Sequence, residues 1–375
     1  MWVEPTNLFY LFLANTKPST MKQIFCQACL GLGVLAAFAA AICFAFGISG
    51  ATICLMGSFT LLALAFQGYP MLKGFSYTLF IFAASTYALA YPENLVAYHG
   101  FPLKKLVTPL LVLTMFGMGI HMNLKRFIEI VQSPKPILAG IFCHYLIMPG
   151  IGMALALSTD LPPEIAAGII LVGCSPSGVA SNVMAFISGG NLALSVTVTA
   201  ISTLLAPLVT PLLMKLLANQ LVPINFWDMF WHIMEIVIFP VLAGLVYNQY
   251  AYGRRKWLDE LLPILSMASI IFIVALTVSA GHDTLLSIGW LLILIVLVHN
   301  LLGYFFGYRI SKWMGINEQD SRTIAFEVGL QNAGLASGIA SKMGLMATMG
   351  LVPGIFGSMQ NITASILANW WGRKK

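Results

Sequence analysis

Twelve apolar runs follow one another along this chain with little between them, and each is about the length that crosses a bilayer. A spanning helix takes roughly 20 apolar residues. The runs fall at 24–47, 50–68, 75–92, 104–122, 136–157, 163–188, 190–217, 229–250, 261–281, 286–311, 321–343 and 346–371. Backbone in hydrocarbon must satisfy its own hydrogen bonds, so the runs predict helices and an all-α integral membrane fold. Charge content agrees. Only 9% of the residues are charged, whereas a soluble domain carries about 25%. That is too few to cover a water-facing surface of this size, and no stretch between runs is long enough for a soluble domain.

Lys22 and the run from Ile24 to Phe46 have the outline of a secretion signal, with Ala39, Ala40 and Ala41 imitating a cleavage site. The run is too long for that, and the apolar stretch Ala51 to Phe66 follows almost at once. Residues 1–70 are therefore expected to be an N-terminal extension with an additional helical hairpin. Residues 71–375 hold ten further spans, divided at 71–218 and 219–375. With a cytoplasmic N-terminus and alternating spans, Lys17, Lys22, Lys125, Arg126, Arg255, Lys374 and Lys375 fall inside with most other basic residues. Of 19 Lys and Arg, only Lys104, Lys105, Lys215 and Lys342 fall outside. This is the positive-inside pattern. It accounts for the net charge of +6 without nucleic acid as a partner, and it suits a bacterial cytoplasmic membrane. The pair Cys26 and Cys29 has no second pair or His cluster beside it, so the cysteines read as small buried hydrophobes.

Two spans are interrupted by small and polar residues: the fourth of the ten at Ser177-Gly178-Val179-Ala180-Ser181-Asn182, and the ninth at Glu327-Val328-Gly329-Leu330-Gln331-Asn332-Ala333-Gly334. Interruptions five spans apart lie in halves of opposite orientation. This is the arrangement of inverted-repeat transporters, whose discontinuous helices build the site at mid-membrane. Glu327 is the carboxylate at that depth. Placing one there costs at least ~2.5 kcal/mol, and such residues mark ion or proton paths. Sodium, a hard cation, takes oxygen ligands, which Ser181, Asn182, Ser195, Thr199, Gln331 and Asn332 supply. Ser195 and Thr199, four apart, share one helix face. Taken singly, each hydroxyl reads as a contact between helices. His144 and His299 occupy corresponding spans of the two halves and read equally as packing residues. Glu235 reads as interfacial.

The stretches Gly173-Cys174-Ser175-Pro176-Ser177-Gly178-Val179-Ala180-Ser181-Asn182-Val183-Met184, Gly190-Asn191-Leu192-Ala193-Leu194-Ser195-Val196-Thr197-Val198-Thr199 and Phe326-Glu327-Val328-Gly329-Leu330-Gln331-Asn332-Ala333-Gly334-Leu335-Ala336 resemble the bile acid:sodium symporter family. The resemblance runs from about residue 75 to the C-terminus and leaves the hairpin outside. It implies ten helices in a five-plus-five inverted repeat, with core and panel domains and two crossing broken helices. It also implies one sodium site at Ser181, Asn182, Ser195, Thr199 and Glu327. A second would use Glu327, Gln331, the backbone of Val328 and Leu330, and a third-span glutamine that is His144 here. The substrate would lie at the crossover near Ser177, Val179, Asn332, Gln360 and Asn361. The family often has a threonine at the position of Val179 and a histidine at that of Gln360.

The expected function is a sodium-coupled symporter of a small or amphipathic organic anion, with no enzymatic step. Proton coupling through His144, or uncoupled transport with an altered second ion site, is the main alternative. A channel or receptor-like binder is another. An intramembrane hydrolase using Ser177 or Ser181 with His299 is remote, since no HExxH or GxSxG pattern is present.

Overall fold

The computed structural model describes residues 20–69, 72–120, 134–254 and 256–373. Lys17, Lys125, Arg126, Arg255, Lys374 and Lys375, used above for orientation, lie outside the described residues. Every apolar run carries a helix. The N-terminal pair, α1 (Thr20–Ala45) and α2 (Ala51–Phe66), turns between Gly47 and Gly50, both at positive φ. Gly33 of α1 lets Leu62 of α2 come close, and Ser58 donates to the Gly33 carbonyl at 2.9 Å. The outer face of α1, with Leu35 and Phe38 about two-thirds exposed, meets no other described helix. Behind it α2 packs on α3 (Lys73–Ala90), where Ser76 donates to the Ala63 carbonyl at 2.6 Å.

Helical turns at Pro92–Leu95 and Leu103–Leu106 flank a two-residue antiparallel ladder, β1 (Ala97–Tyr98) with β2 (Phe101–Pro102). His99 and Gly100, both at positive φ, close it, as a tight hairpin turn requires. Then come α4 (Val107–Ile120), α5 (Pro134–Leu157), α6 (Pro163–Cys174), α7 (Ala180–Ile187) and α8 (Leu192–Leu217). A short α9 (Phe226–Ile233) widens into a π turn at Met234–Ile238 before α10 (Phe239–Tyr250). Pro240 explains that turn: it lacks the N–H that the Ile236 carbonyl would accept, so the ladder slips. The chain closes with α11 (Lys256–Ala280), α12 (His282–Trp313), α13 (Glu318–Gly329), α14 (Ala333–Lys342) and α15 (Leu351–Gly372).

Eight described helical stretches are long and apolar enough to cross a bilayer. The two interrupted spans differ from these: each is two short helices. At 1.5 Å per residue, α6 and α13 are each about 18 Å long, a little over half the ~30 Å of hydrocarbon. Both breaks therefore fall near mid-depth. Every residue of α6 from Ile165 to Cys174 is buried, as a helix apolar all round must be. It forms the centre around which α5, α8 and α15 pack.

Candidate functional site

Two broken helices leave backbone groups without helical partners, and each such group costs several kcal/mol in hydrocarbon. Many of those at the two breaks find partners in each other or in side chains. Ser177 and Gln331 pair as an antiparallel bridge. Gly178 N–H donates to the Leu330 carbonyl at 2.9 Å, and Asn332 N–H to the Pro176 carbonyl at 2.8 Å. A Cβ on Gly178 would lie 2.8 Å from the Gln331 carbonyl oxygen, so only glycine permits this approach. Side chains take others. Thr210 donates to the Cys174 carbonyl at 2.7 Å, and the Ser202 hydroxyl accepts from Ser177 N–H at 3.3 Å. Asn300 donates to the Gly329 carbonyl at 2.9 Å, and Gln331 Nε2 to its neighbour Val328 at 2.7 Å. His144 spans both breaks: Nδ1 lies 2.8 Å from the Glu327 carbonyl and Nε2 2.8 Å from that of Ser175. Both partners only accept, so a neutral ring, with its single N–H, donates to one of them and an imidazolium to both.

Beside this crossing sits the Glu327 carboxylate, fully buried. Ser195 donates to Oε1 and Thr199 to Oε2, the latter at 2.8 Å. The single Thr199 proton is thereby used. Ser181 Oγ, 3.2 Å away, is its hydroxyl neighbour, and Asn182 Oδ1 stands at 3.5 Å. The five residues predicted from three separate stretches are thus one oxygen-rich cluster. No group of three His, Cys, Asp or Glu gathers anywhere among the described residues, so the cluster's chemistry is that of hydroxyl, amide and carboxylate oxygen.

A second zipper, absent from the sequence expectations, sets its register. Asn191 caps α8 by accepting from Leu194 N–H at 3.1 Å. Its own N–H donates to Thr323 Oγ1 at 2.7 Å and its amide to Asp320 at 2.8 Å. Asp320 is also held by Asn317, the cap of α13. Asn191, Ser195 and Thr199 are four apart on α8, as Thr323 and Glu327 are on α13, so the cap contact fixes which hydroxyls reach the carboxylate. The spacing signal was present; that the starts of α8 and α13 lie together is not written in it.

The other predicted residues are placed differently. The carbonyls of Val328 and Leu330 accept hydrogen bonds from the protein itself, while Gln331 Oε1 is buried with no partner. Asn332 caps α14, accepting from Leu335 N–H at 3.0 Å. Ser177 is buried, Val179 is 38% exposed, and Asn361, half-buried, donates to the Gly357 carbonyl. Gln360 spends both ends of its amide on the backbone of Gln331. His299 lies apart from Ser177 and Ser181, donating through Nε2 to the Met148 carbonyl at 3.0 Å.

The sequence profile of the sodium bile acid symporter family matches residues 108–288. An uncharacterised sodium-dependent transporter of Bacillus subtilis is 40% identical over 269 residues, 72% of this chain and 83% of that protein. This chain belongs to the sodium bile acid symporter family. A probable chloroplastic sodium/metabolite cotransporter of Arabidopsis thaliana is 33% identical over 263 residues, 70% of this chain and 66% of the plant protein. The human ileal sodium/bile acid cotransporter is 32% identical over 249 residues, covering 63% and 69%. Members of the sodium bile acid symporter family are sodium-dependent transporters, not enzymes, and this one is a multi-pass integral membrane protein. The bacterial relative agrees with a place in a cytoplasmic membrane.

Proposed function

We propose that this protein is a sodium-coupled symporter that moves a small or amphipathic organic anion by alternating access. The observation that carries this reading is the buried Glu327 carboxylate, held by α8 hydroxyls where two broken helices meet. Sodium is a co-substrate, and Ser181, Asn182, Ser195, Thr199 and Glu327 are its ligands. When it binds, the hydroxyl protons now turned to Glu327 swing away and the same oxygens face the cation. Each sodium ion moving inward contributes about 2.3 kcal/mol per 100 mV of membrane potential.

The ten spans of residues 71–375 form two inverted halves, 71–218 and 219–375, whose fourth members cross at Ser177 and Gln331. A core domain holding the crossing helices rocks against a panel, with the residue 1–70 hairpin outside. The anion lies at the crossing, beside Ser177, Val179, Asn332 and Asn361, where the N-termini of α7 and α14 favour a carboxylate or sulfate. The region of Val328, Leu330, Gln331 and His144 supports a second reading of the ion count. The His144 ring ties the Ser175 and Glu327 carbonyls together, so a side chain does there what an ion would do, and one sodium ion is bound.

The test is a sodium titration of thermal stability on purified protein, with potassium at matched ionic strength. Ligands of the native state raise stability by mass action. Sodium is expected to stabilise the wild type, and Glu327→Ala to remove the effect while still folding. Undiminished stabilisation in Glu327→Ala rules this ion site out.

A further inference from the structure

One of the side chains that hold the break in the second crossing helix comes from α15. Gln360 Oε1 accepts from Gln331 N–H at 2.8 Å, and Gln360 Nε2 donates to the Gln331 carbonyl at 3.0 Å. A side-chain amide is here used as a substitute peptide, meeting donor and acceptor of one residue together. The exchange has a consequence upstream. In an unbroken helix Gln331 N–H would donate to the Glu327 carbonyl, four residues back. Because Gln360 takes that N–H, the Glu327 carbonyl is left free for His144. Gln360 is itself fixed: it is 6% exposed, and Tyr304 donates to its backbone carbonyl at 3.2 Å. Its amide has no capacity left for a ligand in this arrangement beyond one N–H and one lone pair. Next to it on α15 stands Asn361, half-buried and on a different face.

We infer that Gln360 is a positioning residue: it holds the Gln331 backbone out of the helix, shapes the ion site through Glu327 and Gln331, and links that site to α15. It acts on sodium rather than touching the anion. This rests on the ion site proposed above. The chemistry calls for a group with a donor and an acceptor on one planar head, which Gln supplies and Met, of similar length, does not.

Two variants, Gln360→Met and Gln360→His, test it in the full-length protein. Sodium chloride, exchanged against potassium chloride, is the probe in a thermal-stability titration without substrate. Gln360→Met, which loses both bonds, is expected to raise the half-saturating sodium concentration about tenfold, or ~1.4 kcal/mol. Gln360→His, which keeps one of the two bonds, should shift it less. An unmoved sodium curve in Gln360→Met overturns the inference. Hydrogen–deuterium exchange of the segment around Gln331, in potassium alone, separates this inference from the ion-site proposal. Faster exchange in Gln360→Met shows the clasp even if sodium fails to bind wild type, and unchanged exchange defeats it. Should Gln360→Met not fold, the same exchange and titration are decided on Gln360→His.

Discussion

The two helix breaks solve one problem by different means. The first, between Cys174 and Ala180, is held by two short hydroxyls of α8, Ser202 and Thr210, with His144 of α5 reaching its Ser175 carbonyl. The second, between Gly329 and Ala333, is held by longer groups from three helices: His144 of α5, Asn300 of α12 and Gln360 of α15. A hydroxyl on an adjacent helix reports only the position of that helix. An imidazole and two amides converging from three directions make the second break answer to all three at once. The carboxylate sits on the break with more ties, so the charge is placed where most of the surrounding helices can feel it.

The comparison can be strained in order of severity. Gly178→Val should do the most damage, because its new side chain enters the space of the Gln331 carbonyl and drives the two breaks apart. Sodium-driven uptake should vanish and the melting temperature in potassium should fall; a variant with normal uptake would show that the crossing tolerates separation. The next test is a pair. Asn300→Leu strands the Gly329 carbonyl and takes the Asn300 acceptor from the Thr363 hydroxyl, whereas Ser202→Ala strands only the Ser177 N–H, whose bond is long at 3.3 Å; each stranded group costs about 1–3 kcal/mol, so Asn300→Leu should lose more. Denaturation of the two variants should rank them that way, and equal losses would erase the difference between the breaks. The mildest change is His144→Gln. It should leave stability in potassium near wild type and turn the sodium titration from a single-ion to a two-ion curve, as the amide frees room between the Ser175 and Glu327 carbonyls. An unchanged curve shape would mean that the ring does not stand in for an ion.

The apolar runs made the helices legible, because length and lack of charge act over whole segments. The breaks were legible too: Ser177-Gly178 and Gln331-Asn332 put small and polar residues where hydrocarbon forbids open backbone. Glu327, Ser195 and Thr199 stood out by residue chemistry and four-residue spacing, and the family resemblance implied that they share one site. What could not be read were the ties. That Gln360 faces Gln331, or that both nitrogens of His144 meet carbonyls, depends on helix rotation about the long axis. A lipid-exposed residue and a core residue of the same helix look alike when nearly every position is apolar. Asn191 and Thr323 fell inside apolar runs and Asp320 just outside one, and nothing in the sequence marks them as partners until α8 and α13 are side by side.

The N-terminal hairpin has a bearing on how a fatty cargo reaches the protein. Because α2 lies along α3, that flank of α3 faces protein instead of lipid tails. A molecule dissolved in the bilayer and drifting sideways meets a second wall there. On this side α1 and α2 stand between α3 and the bilayer.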